Sequence, residues 1–336
     1  MGQRVLINFS HGLGDATQLT IILKHLAKQR PEWIVDVESS WGKHSLFYNL
    51  CNHVYIKNQD PAPRNNYNKV IDLCWVEPGC EDEQRDVPLT KVTVALRREL
   101  HLEPNSHLYN YTINITDESR ELADYYLRKL PQKEKIVGIH YQANSSSWEK
   151  DISQGIIERL AHMLIAQGYI IVILDWDGRS PLPNRHTIFC PSKKDPIWDG
   201  KGTGDGNIIA ALIEKFSLFI GVDSGPEHIA GSTRTPTIIV WKGHHPLNFF
   251  DLSDNCIHLL PGDSSLRCSN RHTAEIYFRK NYQYTYYNHL ESKLRETVSK
   301  VLNVENVQPS RMDVRIGRWW QLVRDLENPH EVNLGG

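Results

Sequence analysis

The residues best suited to chemistry are concentrated in a short turn at 223–226, between a predicted buried strand and a predicted helix. At a helix start the backbone N–H groups lack intrahelical partners, and the helix dipole favours negative charge. Ser224 and Gly225 are therefore predicted to offer N–H groups to a phosphate, with His228 one turn further on. Asp223 could hydrogen-bond a polyol or cap the turn. The alternative is an ordinary strand-to-helix junction of an α/β protein.

A second candidate site is a glycine loop at residues 10–18, which follows an apolar strand predicted at 4–9. Its carboxylate, Asp15, is of a type that accepts a proton from a hydroxyl in general base catalysis. The alternative is that Asp15 only caps the next helix, where the dipole stabilises the ionised carboxylate and lowers its basicity. That helix is predicted from apolar residues at helical spacing: Leu19, Ile22, Leu23 and Leu26.

The glycines of this loop also suggest a dinucleotide-binding fingerprint. Gly12 and Gly14 have the required spacing, and Asp36 and Glu38 follow about twenty residues on, where such folds place an acidic ribose ligand. Thr17, however, occupies the position of the third glycine. The fingerprint is incomplete, so nicotinamide or flavin binding is an alternative only.

Strand and helix patterns alternate along both halves of the chain, which predicts an α/β protein with mainly parallel sheets. Further strands are expected at 33–37, 69–73, 135–141, 169–174, near 186–190 and at 235–241. A predicted helix at 119–130 ends before Pro131. We therefore expect an N-terminal domain at 1–132, a C-terminal domain at 133–310, and a C-terminal helix and tail at 311–336.

The composition agrees with two domains of ordinary size: 336 residues, 40% of them hydrophobic, with a formal net charge of −2. This charge gives no general attraction to nucleic acid. Neither a membrane span nor a signal peptide is evident, which predicts a cytoplasmic protein. The cysteines form no C-x-x-C pair, so reduced thiols and no metal cluster are expected. Asp175 and Asp177 form an Asp-x-Asp pattern, the alternative metal site.

Together the two loops resemble the heptosyltransferases of glycosyltransferase family 9, which move a heptose from ADP-heptose onto lipopolysaccharide core or protein. The matching residues are Gly14, Asp15 and Thr17 in the first loop, and 221–228 with 235–237 in the second. The resemblance implies a GT-B fold, in which two Rossmann-like domains face each other across a cleft. The acceptor would bind the N-terminal domain, the nucleotide sugar would bind the C-terminal domain, and the C-terminal helix would cross back to the first domain.

The resemblance also implies a role for each candidate residue, with no cofactor and no metal. Asp15 would be the catalytic base. The residues implied to line the cleft on the acceptor side are His11, Gly12 and Gly14. Asp223 would bind sugar hydroxyls, and Asp177 would be a second acidic ligand of the donor. The residues implied to face the donor diphosphate, whose charge grows during the reaction, are Ser224, Gly225 and His228.

The chain departs from the family near residue 146. The family has a lysine two residues before a tryptophan in this region, whereas here Ser146 precedes Trp148 and a lysine, Lys150, follows it. Either Lys150 supplies the missing donor contact, or the phosphates or sugar differ from those of ADP-heptose.

The predicted activity is the transfer of a sugar from a nucleoside-diphosphate sugar to a hydroxyl of a saccharide or protein. The sugar is expected to be a heptose and the donor ADP-heptose. Transfer is expected to invert the anomeric configuration and to need no metal. The alternatives are a nucleotide-sugar epimerase of the UDP-N-acetylglucosamine 2-epimerase type and a silent nucleotide-sugar binding module.

A further stretch at 271–289 interleaves aromatic and basic residues. Packing, acceptor contact and nucleic-acid binding are all open for it.

Overall fold

A computed structural model describes residues 2–78, 87–88, 90–128, 130, 135–143, 147–174, 187–188, 204–248, 253–262, 266 and 278–306. Its strands are β1 (Gln3–Phe9), β2 (Trp33–Ser39), β3 (His53–Ile56), β4 (Lys69–Asp72), β5 (Ile136–His140), β6 (Ile170–Leu174), β7 (Thr187–Ile188), β8 (Leu218–Val222), β9 (Thr237–Val240), β10 (Cys256–Pro261) and β11 (Gln283–Tyr287). Its α-helices are α1 (Leu13–Gln29), α2 (Lys91–Val94), α3 (Asp117–Leu127), α4 (Ser147–Lys150), α5 (Gln154–Ile165), α6 (Gly206–Ile213), α7 (Gly225–Gly231) and α8 (Leu290–Leu302). A π-helical turn at Ala95–Glu99 continues α2, and 3₁₀ turns lie at His44–Phe47, Arg64–Asn66, Ser106–Leu108 and Pro246–Asn248.

The first sheet is parallel, with strand order β3-β2-β1-β4. Its central strand β1 and the apolar face of α1 share one buried core, as the sequence predicts. The chain runs outward from β1 through β2 to β3, then returns to the other side of β1 to form β4. In open α/β sheets, ligands bind outside the carboxyl ends of the strands at such a reversal. In this sheet that position is the loop between β1 and α1.

The second sheet is also parallel, with strand order β11-β10-β9-β8-β5-β6-β7. Every residue of β5, β6, β8 and β9 is buried, because helices cover both faces, and this explains their continuous apolar sequences. The strand order reverses between β5 and β8. The reversal brings the end of β5 beside the Asp223 turn, which directly follows β8.

Helix α6 joins the two sheets through its buried N-terminus. The side chain of Asp205 caps α6 by accepting the backbone N–H groups of Asn207 and Ile208. The Ser45 hydroxyl, from the N-terminal half of the chain, donates to the same carboxylate at 2.7 Å. The Asn207 side chain in turn donates to the backbone carbonyl of Ser45 at 3.1 Å. One hydrophobic cluster accordingly includes α6 and residues of both sheets.

The predicted alternation of strands and helices is confirmed, with shifted ends. The helix predicted at 119–130 begins at Asp117, because the Thr116 side chain caps it by accepting from the Ser119 N–H, and it ends at Leu127. The strands of the first sheet all precede residue 131, and those of the second all follow 134. Residues 131–134 and the predicted C-terminal helix lie outside the described residues, so the domain limits stay predictions.

The cysteines and the helices can be compared with what the composition predicts. Cys51, Cys74 and Cys256 form no disulfide there, and the other cysteines lie outside the described ranges. In the described part of the chain, no helix combines the length and apolar character that crossing a membrane requires.

Candidate active site

The two predicted loops meet, although they lie at opposite ends of the core sequence. A Cβ atom added to Gly14 would lie 2.7 Å from Cδ2 of His228, and one added to Gly225 would lie 2.7 Å from Cβ of Leu13. Both distances are shorter than any ordinary contact, so each glycine allows a close approach of α1 and α7. The carboxyl ends of β1 and β8 therefore lie next to each other.

Asp15 lies in the first turn of α1, whose N-cap is Gly12 rather than Asp15. Its side chain is 24% exposed, and Oδ1 lies 3.6 Å from Nζ of Lys91. From the residues that the structure describes, the Asp15 carboxylate accepts no hydrogen bond. The simple capping role considered for Asp15 is therefore not seen, and the carboxylate is accessible at the junction of the two loops.

The rest of the first loop is held by neighbouring strands. Nε2 of His11 lies 3.2 Å from the Leu73 carbonyl oxygen and donates to it, which links the carboxyl ends of β1 and β4. Nζ of Lys43 donates to the His11 carbonyl at 2.5 Å. Burial lowers the pKa of Lys43, and the charge of Asp15 partly opposes that effect. The backbone of His11 is thus fixed beside the Asp15 carboxylate.

Asp223 is the centre of a charged cluster at the carboxyl end of the second sheet. Its Oδ2 lies 2.9 Å from Nζ of Lys150 and 3.2 Å from Nδ1 of His244. Burial alone would raise the pKa of Asp223, but the hydrogen bond from His244 and the charge of Lys150 outweigh burial and lower it. The carboxylate is therefore ionised at neutral pH, and the imidazole N–H donates to it.

His228 is enclosed rather than exposed. Its Nδ1 lies 2.8 Å from the hydroxyl of Tyr111, which belongs to the N-terminal half, and its ring lies against Gly14. Burial lowers the pKa of His228 to about 4, although the charges of Asp223 and Asp15 act in the opposite direction. The imidazole is therefore neutral at pH 7, and any contact with a diphosphate would be a hydrogen bond without a charge.

A buried pair behind the turn fixes its backbone. Oε1 of Glu227 lies 2.9 Å from Nδ1 of His140 and accepts the Val222 N–H at 3.2 Å. A Cβ atom added to Gly221 would lie 1.8 Å from the same oxygen, so only glycine fits there. Burial raises the pKa of Glu227, and its interaction with His140 partly opposes the rise. The start of α7, with Ser224 as its N-cap, is thus tied to the end of β5.

Sequence reasoning missed His140, His244, Tyr111 and Lys91. His140 and His244 could have been found, because His140 ends β5 and His244 follows β9. Both strands neighbour β8 in a parallel sheet, where carboxyl ends share one edge. Tyr111 and Lys91 carry no such signal. Their places depend on how the chain after the first sheet folds across α1 and α7.

The acidic residues of the dinucleotide alternative are engaged elsewhere. Asp36 is fully buried and accepts hydrogen bonds from Tyr67, Arg4 and Asn52. Glu38 is also buried and accepts from the Ala62 N–H and the Arg64 guanidinium. Both carboxylates stabilise the first sheet, so the incomplete fingerprint gains no ribose ligand from them.

Three of the candidate residues lie outside the described ranges: Asp175, Asp177 and Ser146. Among the residues that are described, no group of three or more His, Cys, Asp or Glu side chains is arranged to hold a metal ion.

The aromatic and basic stretch is described from residue 278 onward. Phe278 and Tyr282 are buried and stack on each other, with ring centroids 4.6 Å apart. Tyr286 is 50% exposed on the edge strand β11. Phe278 and Tyr282 therefore pack against each other in the protein interior, which is one of the three interpretations of this stretch. Residues 271–277 lie outside the described ranges.

The chain is similar to known glycosyltransferases. Residues 207–276 match the model of glycosyltransferase family 9 (heptosyltransferase). Over 116 residues the chain is 28% identical to lipopolysaccharide heptosyltransferase 3 of Escherichia coli, a match that covers 34% of this chain and 33% of that protein. The matched part is thus about a third of the length of this curated relative.

Solved structures of the family share the whole architecture. The glycosyl transferase family 9 structure from Veillonella parvula has a TM-score of 0.59 at 16% identity, over 89% of this chain and 97% of that one. The ADP-heptose lipopolysaccharide heptosyltransferase II of E. coli has a TM-score of 0.58 at 14% identity, over 83% and 97%. The resemblance drawn from the two loops is confirmed: residues 207–276 match the glycosyltransferase family 9 model, and the chain has the GT-B fold of the family's heptosyltransferases.

Proposed function

We propose that this protein is an inverting glycosyltransferase that moves a heptose from ADP-heptose to a hydroxyl of a saccharide or protein. The observation that carries the proposal is the contact of Gly14 with His228. It brings an accessible carboxylate, Asp15, beside the ionised Asp223 cluster, at the reversal points of two parallel sheets.

Asp15 would be the base. Its carboxylate would take the proton from the acceptor hydroxyl as that oxygen attacks the anomeric carbon, and the bond from that carbon to the diphosphate oxygen would break on the opposite face. Attack and departure on opposite faces invert the anomeric configuration. The partial exposure of Asp15 supports this role, because the acceptor must reach it.

The Asp223 cluster would bind the donor. A buried, ionised carboxylate accepts hydrogen bonds from sugar hydroxyls, and Lys150 brings a positive charge close to the place where the diphosphate would lie. Backbone N–H groups at the start of α7 would add donors for the leaving group. The choice of ADP-heptose is supported by heptosyltransferase II, whose name specifies that donor.

This donor site needs no metal ion in principle, because Lys150 and backbone donors can balance the charge of the leaving nucleoside diphosphate. We therefore propose metal-independent transfer without a cofactor. We also propose that it takes place in the cytoplasm, the location expected from the sequence. Epimerisation and silent binding are less favoured, since neither requires an accessible base on the other sheet.

The decisive experiment incubates the purified protein with ADP-heptose and a panel of lipopolysaccharide core saccharides and hydroxyl-bearing peptides, with and without EDTA. We expect release of ADP, a new glycoside whose anomeric configuration is inverted by NMR, and no loss of rate in EDTA. A changed sugar without acceptor would indicate an epimerase, and nucleotide binding without any turnover would indicate a silent module. Loss of activity in EDTA would revive Asp175 and Asp177 as metal ligands.

A further inference from the structure

His244 lies in the loop after β9 and contacts the central carboxylate of the proposed donor site. Its Nδ1 is 3.2 Å from Oδ2 of Asp223, and its side chain is 22% exposed. Lys150 reaches the same oxygen from α4 at 2.9 Å. Two donors from different elements thus converge on one oxygen of one carboxylate.

The other oxygen of Asp223, Oδ1, faces neither of these two donors. Within the described part of the chain, Oδ1 accepts no hydrogen bond, although the side chain is only 8% exposed. A carboxylate with one oxygen fixed by two donors cannot rotate about its terminal bond without breaking both interactions. Its second oxygen therefore keeps one direction, which is the condition for recognising a hydroxyl at a fixed position.

The loop that carries His244 is held against the segment that carries Lys150. Nζ of Lys242 donates to the Asp151 carbonyl at 2.6 Å, and the Asp151 side chain accepts the Ala143 N–H at 2.7 Å. A Cβ atom added to Gly243 would lie 3.5 Å from Cβ of Glu149, an ordinary contact. The two donors to Asp223 are therefore positioned together, beyond the carboxyl ends of β5 and β9, the two strands that flank β8.

We propose that His244 is a positioning residue of the donor site, which together with Lys150 directs the free oxygen of Asp223 toward a hydroxyl of the donor sugar. The inference rests on the proposed function and deepens it. It assigns recognition of the sugar, as distinct from the nucleotide, to Asp223 as positioned by His244.

The adjacent histidine provides a matched control. The ring of His245 packs against Phe278, with centroids 4.6 Å apart and planes at 71°, and its Nδ1 accepts the Leu247 N–H at 3.1 Å. His245 thus supports the loop by packing, whereas His244 supports the carboxylate. Replacing each by alanine separates the two roles.

Calorimetry with ADP and with ADP-heptose tests the proposal on the wild type and on His244→Ala, His244→Asn and His245→Ala. For His244→Ala we expect ADP to bind as it does to the wild type and ADP-heptose to bind about 10-fold or more weakly, as for a lost hydrogen bond to a charged group. His244→Asn should restore much of the loss, because its side-chain N–H can replace Nδ1–H. His245→Ala should lower the melting temperature and leave the ratio of the two affinities unchanged.

A double-mutant cycle in the absence of ligand tests the contact itself. His244→Ala and Asp223→Asn should show coupling in the free energy of unfolding, because the residues are in direct contact. Equal affinity of His244→Ala and the wild type for ADP-heptose would overturn the positioning role while leaving the proposed function intact. Absence of coupling would overturn the inference, and failure of the wild type to bind ADP-heptose would overturn both this inference and the proposed donor.

Discussion

The hydroxyl of Tyr111 lies 2.8 Å from Nδ1 of His228, and this contact joins the N-terminal half of the chain to the helix that follows the Asp223 turn. The same imidazole lies against Gly14 on its other side. One neutral, buried ring is thus held between two parts of the N-terminal half. The relative position of Asp15 and Asp223 depends on this junction.

Replacement of Asp15 tests the base directly. Asp15→Asn keeps the shape of the side chain but removes the proton acceptor, so turnover should fall by roughly 10²–10⁴-fold with little change in donor affinity. Asp117→Asn is the matched control, since Asp117 also lies in the first turn of a helix but is 99% exposed. Steady-state rates and calorimetry check both variants, and an active Asp15→Asn enzyme would remove Asp15 from the mechanism.

The close approach of the two loops predicts that Gly14 cannot be enlarged. Gly14→Ala would place a methyl group 2.7 Å from the His228 ring, which forces α1 and α7 apart. We expect a loss of about 1–3 kcal/mol in the free energy of unfolding, as for other overpacked sites, and a large loss of turnover. Gly155→Ala is the control, because the nearest contacts of its added Cβ are guanidinium atoms of Arg159 at 3.3 Å or more, and a helix favours alanine over glycine. Chemical unfolding and activity assays should separate the two variants.

Removal of the Tyr111 hydroxyl should weaken the junction. Tyr111→Phe deletes one hydrogen bond from the buried His228 ring, at an expected cost of about 1–3 kcal/mol of stability, and turnover should fall as well. Tyr109→Phe removes a comparable buried hydrogen bond, to the Thr93 hydroxyl at 2.7 Å, from a ring that packs on His25 and not on His228. We expect the control to lose stability but to keep its turnover. Equal activity in both variants would mean that the junction does not position the site.

Lys150 is predicted to act through charge as well as hydrogen bonding. Lys150→Ala should weaken donor binding by about 1.5–3 kcal/mol, because Asp223 loses a partner and the diphosphate loses a nearby positive charge. Lys215→Ala is the control. It removes a half-exposed ion pair between Lys215 and Asp124, which has the same length of 2.9 Å, and it should change donor binding little. Calorimetry with ADP and ADP-heptose measures both, and unchanged binding would show that Lys150 does not replace the lysine missing at Ser146.

Buried histidines predict a loss of stability in mild acid. Burial lowers the pKa of His44 to about 4, of His228 to about 4 and of His258 to about 3, whereas the unfolded chain takes up these protons near pH 6.5. The unfolded state therefore binds more protons below pH 6.5, and the free energy of unfolding should fall as the pH drops from about 6.5 towards 4. The raised pKa of Glu227 acts in the opposite direction.

His44→Asn measures one of these contributions. Its amide oxygen can still accept the Gly42 N–H that His44 accepts at 3.1 Å, but it does not titrate. The difference in unfolding free energy between pH 7.5 and pH 5 should shrink by about 2 kcal/mol relative to the wild type. Urea unfolding at the two pH values checks this, and an unchanged difference would show that His44 is not buried as a neutral imidazole.

The sequence does not predict strands β3, β10 and β11. It does predict the other strands, the amphipathic helix α1, the two glycine loops and the resemblance to glycosyltransferase family 9. These features are local. Apolar runs of strand length, helical spacing in α1 and the Asp223 turn each depend on residues close together in the chain. The resemblance to glycosyltransferase family 9 also depended on short segments such as 221–228, and the matched residues 207–276 contain that segment.

Tertiary packing brings together the side chains that share the site. The pairing of Lys150 and His244 on Asp223, and the enclosure of His228 by Gly14 and Tyr111, join residues from separate elements. No local pattern encodes such contacts, because they follow from strand order and from the packing of α1 on α7. The neutrality of His228 has the same origin, since burial by distant residues, and not its neighbours in sequence, lowers its pKa.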